Sequence, residues 1–246
     1  MEVQQVFKRY EKKYILTGEQ EREFLKAVEG KMIMDKYGEH TICNIYFDDD
    51  QFSLIRTSLD KPMYKEKLRL RTYGVPESGD HQAFIEIKKK FDGVVYKRRI
   101  PMKLKTAEKY LYEGIYPQKK DSQILKEIDW FLKAHAPVKP KVVLTYVRRA
   151  FYGAENPDFR MTIDKDITCR YDSLHLTDGV FGDPILKENT YLLEIKIPGI
   201  MPLWMSEILS RLKIFPASIS KYGTYYKNTP ELYLSMTGKK AGGNHV

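Results

Sequence analysis

The stretch Lys65-Glu66-Lys67-Leu68-Arg69-Leu70-Arg71 places a basic residue at every second position without a break. Side chains two positions apart on a β-strand point to the same face. The alternation therefore predicts a strand with four cations on one face and with Leu68 and Leu70 on the other.

Two further strands extend this basic face. Residues 84–90 read Phe-Ile-Glu-Ile-Lys-Lys-Lys, so Glu86, Lys88 and Lys90 share one side of the second strand. The turn Phe91-Asp92-Gly93 is a hairpin signal. Beyond the turn, the same spacing adds Lys97 and Arg99.

A charged strand face has a simple alternative explanation. Antiparallel sheets often bury one side and expose the other, so the cations could face solvent. Like charges directly opposite each other on neighbouring strands are destabilising, however, and a solvent face normally mixes signs. The same basic spacing recurs far downstream, at Tyr146-Val-Arg148, Arg160 and Glu194-Ile-Lys196. The pattern therefore favours a site for a polyanion.

Composition and length limit the class of protein. The chain has 246 residues, 42 Lys plus Arg, 33 Asp plus Glu and a formal net charge of +9. This predicts one globular domain over residues 1–246, with nucleic acid, an anionic membrane surface or phosphorylated molecules as allowed partners. The two cysteines exclude a disulfide framework. With no apolar run of membrane-spanning length and no signal-peptide pattern, we expect a cytoplasmic protein.

The remaining elements follow from periodicity and capping signals. Thr17 with Gln20 three residues later is a capping box that opens a helix through Val28. Ser220 is predicted to cap a short helix near the C-terminus. Further strands are predicted at residues 7–16, 32–36, 41–47, 141–152, 158–171 and 189–197. Further helices are predicted at residues 105–116, 121–135 and 202–212.

The acidic run Asp48-Asp49-Asp50 allows two interpretations. Three carboxylates could bind a metal ion. A short acidic run ahead of Phe52, Leu54 and Ile55 is also typical of a turn that caps a helix N-terminus, and this interpretation is the stronger one.

About eight strands are enough to close a β-barrel whose interior holds side chains or one small ligand. The predicted fold is α+β, a closed eight-stranded antiparallel barrel with helices packed outside, a helical insertion at about residues 103–136 and a frayed tail at 238–246. Its charged residues would point inward and its Leu and Ile residues outward. Burying so many cations requires compensating anions.

An ordered set of motifs resembles a known family. The set consists of Arg9-Tyr-Glu11-Lys-Lys13, Lys67-Leu-Arg69-Leu-Arg71, Glu86-Ile-Lys88, Lys97-Arg-Arg99, Tyr146-Val-Arg148-Arg, Arg160, Leu193-Glu194-Ile-Lys196 and Ser220-Lys221-Tyr222. It resembles the triphosphate tunnel metalloenzymes, and within them it is most similar to the VTC (vacuolar transporter chaperone) polyphosphate polymerase domain. The resemblance covers roughly residues 5 to 235.

This resemblance implies an enzyme that transfers the γ-phosphate of ATP to a growing polyphosphate chain, with Mn²⁺ or Mg²⁺ as cofactor. The implied catalytic phosphate ligands are Lys13, Arg69, Arg71, Lys88, Lys97, Arg148, Arg160 and Lys221. The implied additional substrate-binding residues are Arg9, Arg99, Lys196 and Ser220. The implied metal ligands are Glu194, Glu11 and Glu86, although Glu194 could be a salt-bridge partner, and Glu11 and Glu86 could only balance charge.

The chain also departs from the family pattern. Arg9 stands where the hydrolytic relatives carry an acid, which disfavours triphosphatase or cyclase chemistry. The phosphate-sensing domain and membrane helices of the eukaryotic proteins are not in this chain, so the resemblance implies neither regulation nor polyphosphate export here, and a separate membrane partner is allowed but not required. A triphosphatase and a non-catalytic polyphosphate-binding module remain alternatives. Nucleic acid is not expected. Bases would stack on aromatic residues of the basic face, but Tyr and Phe lie mostly off that face.

Overall fold

The computed structural model describes residues 10–92, 94–117 and 122–234, which form an α+β fold. The strands are β1 (Tyr10–Thr17), β2 (Met32–Asp48), β3 (Tyr64–Tyr73), β4 (Gln82–Phe91), β5 (Val94–Lys103), β6 (Lys139–Gly153), β7 (Arg160–Arg170), β8 (Asp183–Pro184) and β9 (Thr190–Ile197). The helices are α1 (Gly18–Ala27), α2 (Ser53–Leu59), α3 (Leu104–Glu113), α4 (Gln123–Ala134), α5 (Leu203–Arg211), α6 (Lys221–Asn228) and α7 (Glu231–Leu234).

All the strands belong to one antiparallel sheet, and it is open. The hydrogen-bonded order is β1-β9-β7-β6-β2-β3-β4-β5, and β8 pairs with β7. Within the described residues no ladder joins β5 to β1, so the predicted closure of the barrel is wrong. Another segment occupies the free edge of β1: Ala217 donates its N–H to the carbonyl of Lys13 at 2.7 Å, and Tyr14 forms an isolated bridge with Pro216. Because this segment takes those edge bonds, β5 cannot pair with β1 there.

Helices cover one face of the sheet and form two apolar clusters with it. Most Leu and Ile residues of the strands lie on this covered face, as predicted. Leu68, Leu70 and their neighbours on β2–β5 pack against α3 and α4. Leu193 and Ile195 of β9 pack with residues of β1 and β7 against α1 and α5. Helices α3 and α4 lie within residues 103–136, and residue 121, where the second of these helices was predicted to begin, lies outside the described residues.

The opposite face, which carries the cations, is apolar at one end, and this differs from the prediction. Ile42, Leu144 and Leu192 have the same strand parity as the charged residues, yet they are buried with Tyr222 and Tyr225 of α6. Helices α2 and α6 therefore pack against this part of the sheet. Sequence alternation gives the face on which a leucine lies. It does not show that a helix covers part of the charged face and buries leucines there.

The capping predictions are confirmed. Thr17 and Gln20 form the reciprocal capping box of α1. The carboxylate of Asp48 accepts hydrogen bonds from the N–H groups of Leu54 and Ile55, at 2.9 and 3.0 Å. Asp49 accepts from the N–H of Ser53 at 2.9 Å. The acidic run therefore caps α2, as the stronger interpretation held.

Strand β2 is longer than predicted. The sequence indicated two strands, whereas one strand spans Met32–Asp48, with a register shift against β6 between Met34 and Glu39. Gly38 lies within the irregular part at φ 59°. Such a bulge breaks the alternation that identifies a strand.

No helix of the described residues is long and apolar enough to span a lipid bilayer. The tail at residues 238–246, for which fraying was predicted, lies outside the described part of the chain.

Candidate active site

Side chains from eight elements form what we call the basic groove. Its cations are Lys13, Lys67, Arg69, Arg71, Lys88, Lys97, Arg148, Lys196 and Lys221, and its carboxylates are Glu11, Glu86, Asp164 and Glu194. The strand members share one face by register: Arg69 lies opposite Glu86, Lys13 opposite Glu194, and Arg148 opposite Asp164.

The sheet curls enough to bring its two ends together over this groove. Strand β1 lies at one end of the strand order and β3 and β4 lie near the other. Even so, the charge of Lys88 lowers the pKa of Glu11, against the raising effect of burial. Likewise Lys13 is among the cations that lower the pKa of Lys67. Residues of non-adjacent strands therefore face one another across the groove.

Glu194 lies among three cations. Its Oε1 is 3.3 Å from Nζ of Lys13 and 3.2 Å from Nζ of Lys221, and its Oε2 is 3.8 Å from Nη2 of Arg148. Burial raises the pKa of this carboxyl, but Lys221, Lys13 and Arg148 hold it well below its usual range. Glu194 is therefore a fixed anion within the groove.

Asp164 is a groove residue that the sequence analysis did not select. Its side chain is wholly buried and receives two hydrogen bonds from Arg148, at 2.6 and 2.7 Å. Lys221 adds an ion pair at 2.6 Å. The available signal was parity, because Asp164 shares its strand face with Arg160 and Thr162.

Glu86 forms a second anionic centre, on the opposite wall. It is 1% exposed and lies between Arg69, whose Nε and Nη2 are each 2.6 Å from Oε2, and Lys97, 2.6 Å from Oε1. Nε of Arg71 is 3.9 Å from the same Oε2. Burial raises the pKa of Glu86, but these cations lower it strongly.

Two tyrosines line the groove and are exceptions to the prediction that Tyr and Phe lie mostly off the basic face. Arg69 donates to Oη of Tyr46 at 3.3 Å, and Arg71 donates to Oη of Tyr146 at 3.0 Å. Arg71 also donates to Oδ1 of Asn44 at 2.8 Å. The alternation of β2 and β6 placed these side chains on the charged face, but nothing in the sequence gave the cross-strand partner.

Helix α6 brings the last cation into the groove. Ser220 is the N-cap, and its Oγ accepts a hydrogen bond from the N–H of Gly223 at 3.3 Å, as predicted. Lys221 is the first helical residue and lies 4.8 Å above the ring of Tyr146. Burial lowers the pKa of Lys221, but Glu194 and Asp164 raise it well above its usual value. The lysine is therefore held in its cationic form.

Two of the predicted phosphate-binding residues lie at the rim. Arg160 is exposed, and its Nε donates to the carbonyl of Pro157 at 3.2 Å. Arg99 is exposed and lies 5.1 Å above the ring of Phe84. These two arginines share the parity of the groove without contacting its carboxylates, whereas Arg9 lies outside the described residues.

The carboxylates fit a divalent ion only in part. No cluster of three or more His, Cys, Asp or Glu side chains in the described part of the chain could hold a metal by itself. Mg²⁺ commonly uses one or two carboxylates together with substrate phosphates. Glu194 and Glu11 fit this pattern, because they are close enough for Glu194 to raise the pKa of Glu11. Glu86 fits less well, because Arg69 and Lys97 each lie 2.6 Å from one of its oxygens, whereas the nearest cation to Oε2 of Glu194 is Arg148 at 3.8 Å.

The fold resembles solved structures of low sequence identity. A candidate adenylate cyclase from Bacillus halodurans matches with a TM-score of 0.54 and 14% identity over 85% of this chain and 92% of that chain. A candidate adenylate cyclase from Vibrio parahaemolyticus has a TM-score of 0.48 and 13% identity, covering 91% and 99%. A Pyrococcus horikoshii protein has a TM-score of 0.45 and 11% identity, covering 89% and 99%.

The first of these likenesses concerns the fold alone, because its identity is only 14%. No curated protein sequence matches the chain significantly. The family model of the VTC domain, by contrast, matches residues 8–229. This match covers most of the 246 residues, so the chain belongs to the VTC domain family.

Proposed function

We propose that this protein transfers the γ-phosphate of ATP to a growing inorganic polyphosphate chain and releases ADP. The observation that supports this most is the charge of the basic groove, in which cations outnumber carboxylates and the carboxylates are already paired. Transfer between two polyanions requires a donor and an acceptor to be held together against their repulsion. A groove with surplus cations supplies that attraction.

Each wall of the groove would bind phosphate oxygens. Arg148 and Lys221 lie on one side, and Arg69 and Lys97 on the other. Arginine offers a planar fork for two oxygens, and lysine offers a compact point charge. Phosphoryl transfer depends mainly on positioning and charge stabilisation, so no covalent nucleophile of the protein is required.

In the proposed step, a terminal oxygen of the polyphosphate chain forms a bond to the γ-phosphorus of ATP. The bond between that phosphorus and the β–γ bridging oxygen breaks, and ADP leaves with the electron pair. Surrounding cations offset the charge that develops on the leaving oxygen. The fixed positions of Arg148 and Lys221, both bound to Asp164, would orient the phosphates for this displacement.

Glu194, with Glu11 beside it, would hold a divalent ion that arrives with the phosphates. A bound Mg²⁺ or Mn²⁺ would supply further neutralisation of the phosphate charge. Glu86 would instead keep Arg69 and Lys97 in place, since its oxygens face those cations.

Hydrolysis of triphosphate is the competing function. A hydrolase needs a carboxylate free to orient water. Asp164 is not free, because Arg148 and Lys221 occupy its oxygens. This favours transfer over hydrolysis.

The test is to incubate the protein with ATP and Mn²⁺ and to measure ADP, orthophosphate and polymer together. We expect ADP and polymeric phosphate to accumulate in equal molar amounts, with polymer resolved on a gel. Glu194→Gln serves as the inactive control. Stoichiometric orthophosphate without polymer would overturn the proposal in favour of hydrolysis. Tight polyphosphate binding with neither activity would overturn it in favour of a binding module.

A further inference from the structure

Lysines face each other directly at one end of the basic groove. The register of β3 and β4 pairs Lys65 with Lys90 and Lys67 with Lys88. Like charges in directly opposite positions on neighbouring strands are destabilising. Two consecutive pairs of this kind are therefore a feature that stability alone does not favour.

These four lysines also lack the carboxylate partners found deeper in the groove. In residues 10–92, 94–117 and 122–234, none of the four forms an ion pair with Asp or Glu. The next cross-strand pair, by contrast, is the bonded pair of Arg69 and Glu86. The close ion pairs therefore end at Arg69 and Glu86. Beyond them, in the part of the chain that the structure describes, only the longer-range interaction between Lys88 and Glu11 balances the charge of these lysines.

A cavity opens beside the outer lysine pair. It has a volume of about 480 Å³ and is lined by Lys61, Pro62, Met63, Lys65, Lys90 and Asp92. Lys61 brings a further cation from the segment that follows α2. Partial burial lowers the pKa of Lys65, and the charges of Lys90, Lys88 and Lys61 lower it further, which shows that these cations lie close together.

The geometry suits a bare polyphosphate better than a nucleic acid. Alternate residues on a strand lie about 6.6 Å apart, so the two lysine pairs line a path several phosphates long. The aromatic residues at this end, Tyr64 and Phe91, are paired with each other at positions of opposite parity. They therefore lie on the other face of the sheet, where they could not stack with bases of a strand bound to the lysines.

We infer that this lysine-lined end is a polyphosphate subsite, in which Lys61, Lys65 and Lys90 hold the part of the chain that extends beyond the transfer site. The inference rests on the proposed function for the identity of the chain. On this inference ATP does not extend to this end of the groove, and only polyphosphate binds there. Occupancy of the subsite should therefore depend on the length of the polyphosphate chain.

The test is equilibrium binding of long-chain polyphosphate and of tripolyphosphate, measured by titration calorimetry without ATP. The variant Lys65→Gln/Lys90→Gln should weaken long-chain binding by at least about tenfold. The slope of log K against the logarithm of the salt concentration should become shallower by about one to two. Tripolyphosphate, which on this inference is bound by the inner groove alone, should bind to the variant within about twofold of its affinity for the unchanged protein.

Two matched variants separate this effect from net charge and from folding. Lys12→Gln/Lys187→Gln removes the same charge from exposed positions away from the groove and should leave both affinities unchanged. Lys65→Arg/Lys90→Arg keeps the charges and should restore long-chain binding. Melting temperatures of all variants should stay close to that of the unchanged protein, since relief of the repulsion between opposed lysines offsets the loss of the hydrogen bond that Lys65 donates to the carbonyl of Ser58 at 3.0 Å.

The outcomes distinguish this inference from the proposed function. Equal long-chain affinity in the Lys65→Gln/Lys90→Gln variant would overturn the subsite, whether or not the protein makes polymer. Displacement of long polyphosphate by an equal phosphate concentration of single-stranded DNA would overturn its selectivity. Selective loss of long-chain binding in a protein that makes no polymer would support the subsite and remove the proposed function.

Discussion

The ammonium group of Lys221 lies 2.6 Å from Oδ2 of Asp164, and this ion pair joins α6 to β7 inside the basic groove. The same buried carboxylate receives both hydrogen bonds from Arg148. Burial raises the pKa of Asp164, whereas Lys221 and Arg148 lower it below its usual value. One anion therefore orders two candidate phosphate ligands that come from different elements.

We predict that Asp164→Asn lowers the free energy of unfolding by about 3 to 5 kcal/mol, because it leaves Arg148 and Lys221 without their buried counter-charge. Tripolyphosphate should restore part of this loss, since its oxygens can neutralise the same two cations. Denaturant unfolding with and without tripolyphosphate measures both effects.

Asp80→Asn is the matched control, because Asp80 pairs with Lys103 and Lys105 at the surface. It should change neither stability nor its response to tripolyphosphate, since exposed ion pairs contribute little. An Asp164→Asn variant as stable as the unchanged protein in the absence of ligand would contradict the role assigned to Asp164.

Glu194→Gln should abolish turnover while tripolyphosphate still binds through the lysine and arginine side chains. The amide is nearly isosteric with the carboxylate but does not carry the charge that attracts a divalent ion. Binding by calorimetry, compared with ATP consumption over a range of Mn²⁺ concentrations, measures the two effects separately.

Glu86→Gln provides the contrast. The Mn²⁺ concentration that this variant requires should equal that of the unchanged protein, because Glu86 contacts Arg69 and Lys97. The stability of the variant should fall, because these two cations lose their buried counter-charge. If Glu194→Gln kept full activity at saturating Mn²⁺, Glu194 would serve only to balance the charge of Lys13 and Lys221.

Much of the sheet was predictable because side-chain direction alternates along a strand. The stretch at residues 65–71 and its partner at 84–90 form β3 and β4 with the expected faces. The open edge between β5 and β1 was not predictable, because edge pairing depends on where a distant segment packs. Here that segment includes Ala217, whose N–H takes the carbonyl of Lys13.

The candidate site was predictable where a residue's own strand determines its direction, as for Arg69 and Glu194. Asp164 was not predicted, because its importance lies in register: it stands opposite Arg148 on β6 and receives Lys221 from α6. The rim position of Arg160 was not predictable either, since the parity of a residue does not give its depth in the groove.

The contact between Tyr46 and Tyr222 is expected to hold α6, and with it Lys221, against the sheet. Its ring stacks on that of Tyr222 with centroids 5.1 Å apart, and its hydroxyl accepts from Arg69 at 3.3 Å. Tyr46→Phe keeps the stack, so we expect a stability loss of no more than about 1 kcal/mol and near-normal turnover. Tyr46→Ala removes the stack and should cost about 3 kcal/mol. Equal turnover per folded molecule in the two variants would show that the stack does not position Lys221.

The last prediction concerns pH. The pKa of Lys97 is lowered to about 7 and that of Lys67 to about 8, by burial first and then by neighbouring cations, although Glu86 and Tyr46 respectively raise them. The pKa of Tyr46 is lowered to about 8, since Arg69, Lys67 and Arg71 outweigh the raising effect of burial. A bound polyanion adds negative charge beside all three groups and raises each pKa. Binding of tripolyphosphate near pH 8 should therefore take up protons.

Calorimetry in two buffers of different ionisation enthalpy measures this uptake, and affinity should weaken as pH rises from about 7 to 9. Without ligand, Lys97 acts on stability with the opposite sign. Its folded-state pKa of about 7 lies below the ordinary value of 10.5, so the unfolded chain binds more protons between these values and the free energy of unfolding rises with pH through this group. General alkaline unfolding would instead lower stability and affinity together. Lys97→Gln should reduce the proton uptake, and uptake equal to that of the unchanged protein would show that Lys97 does not titrate with the ligand.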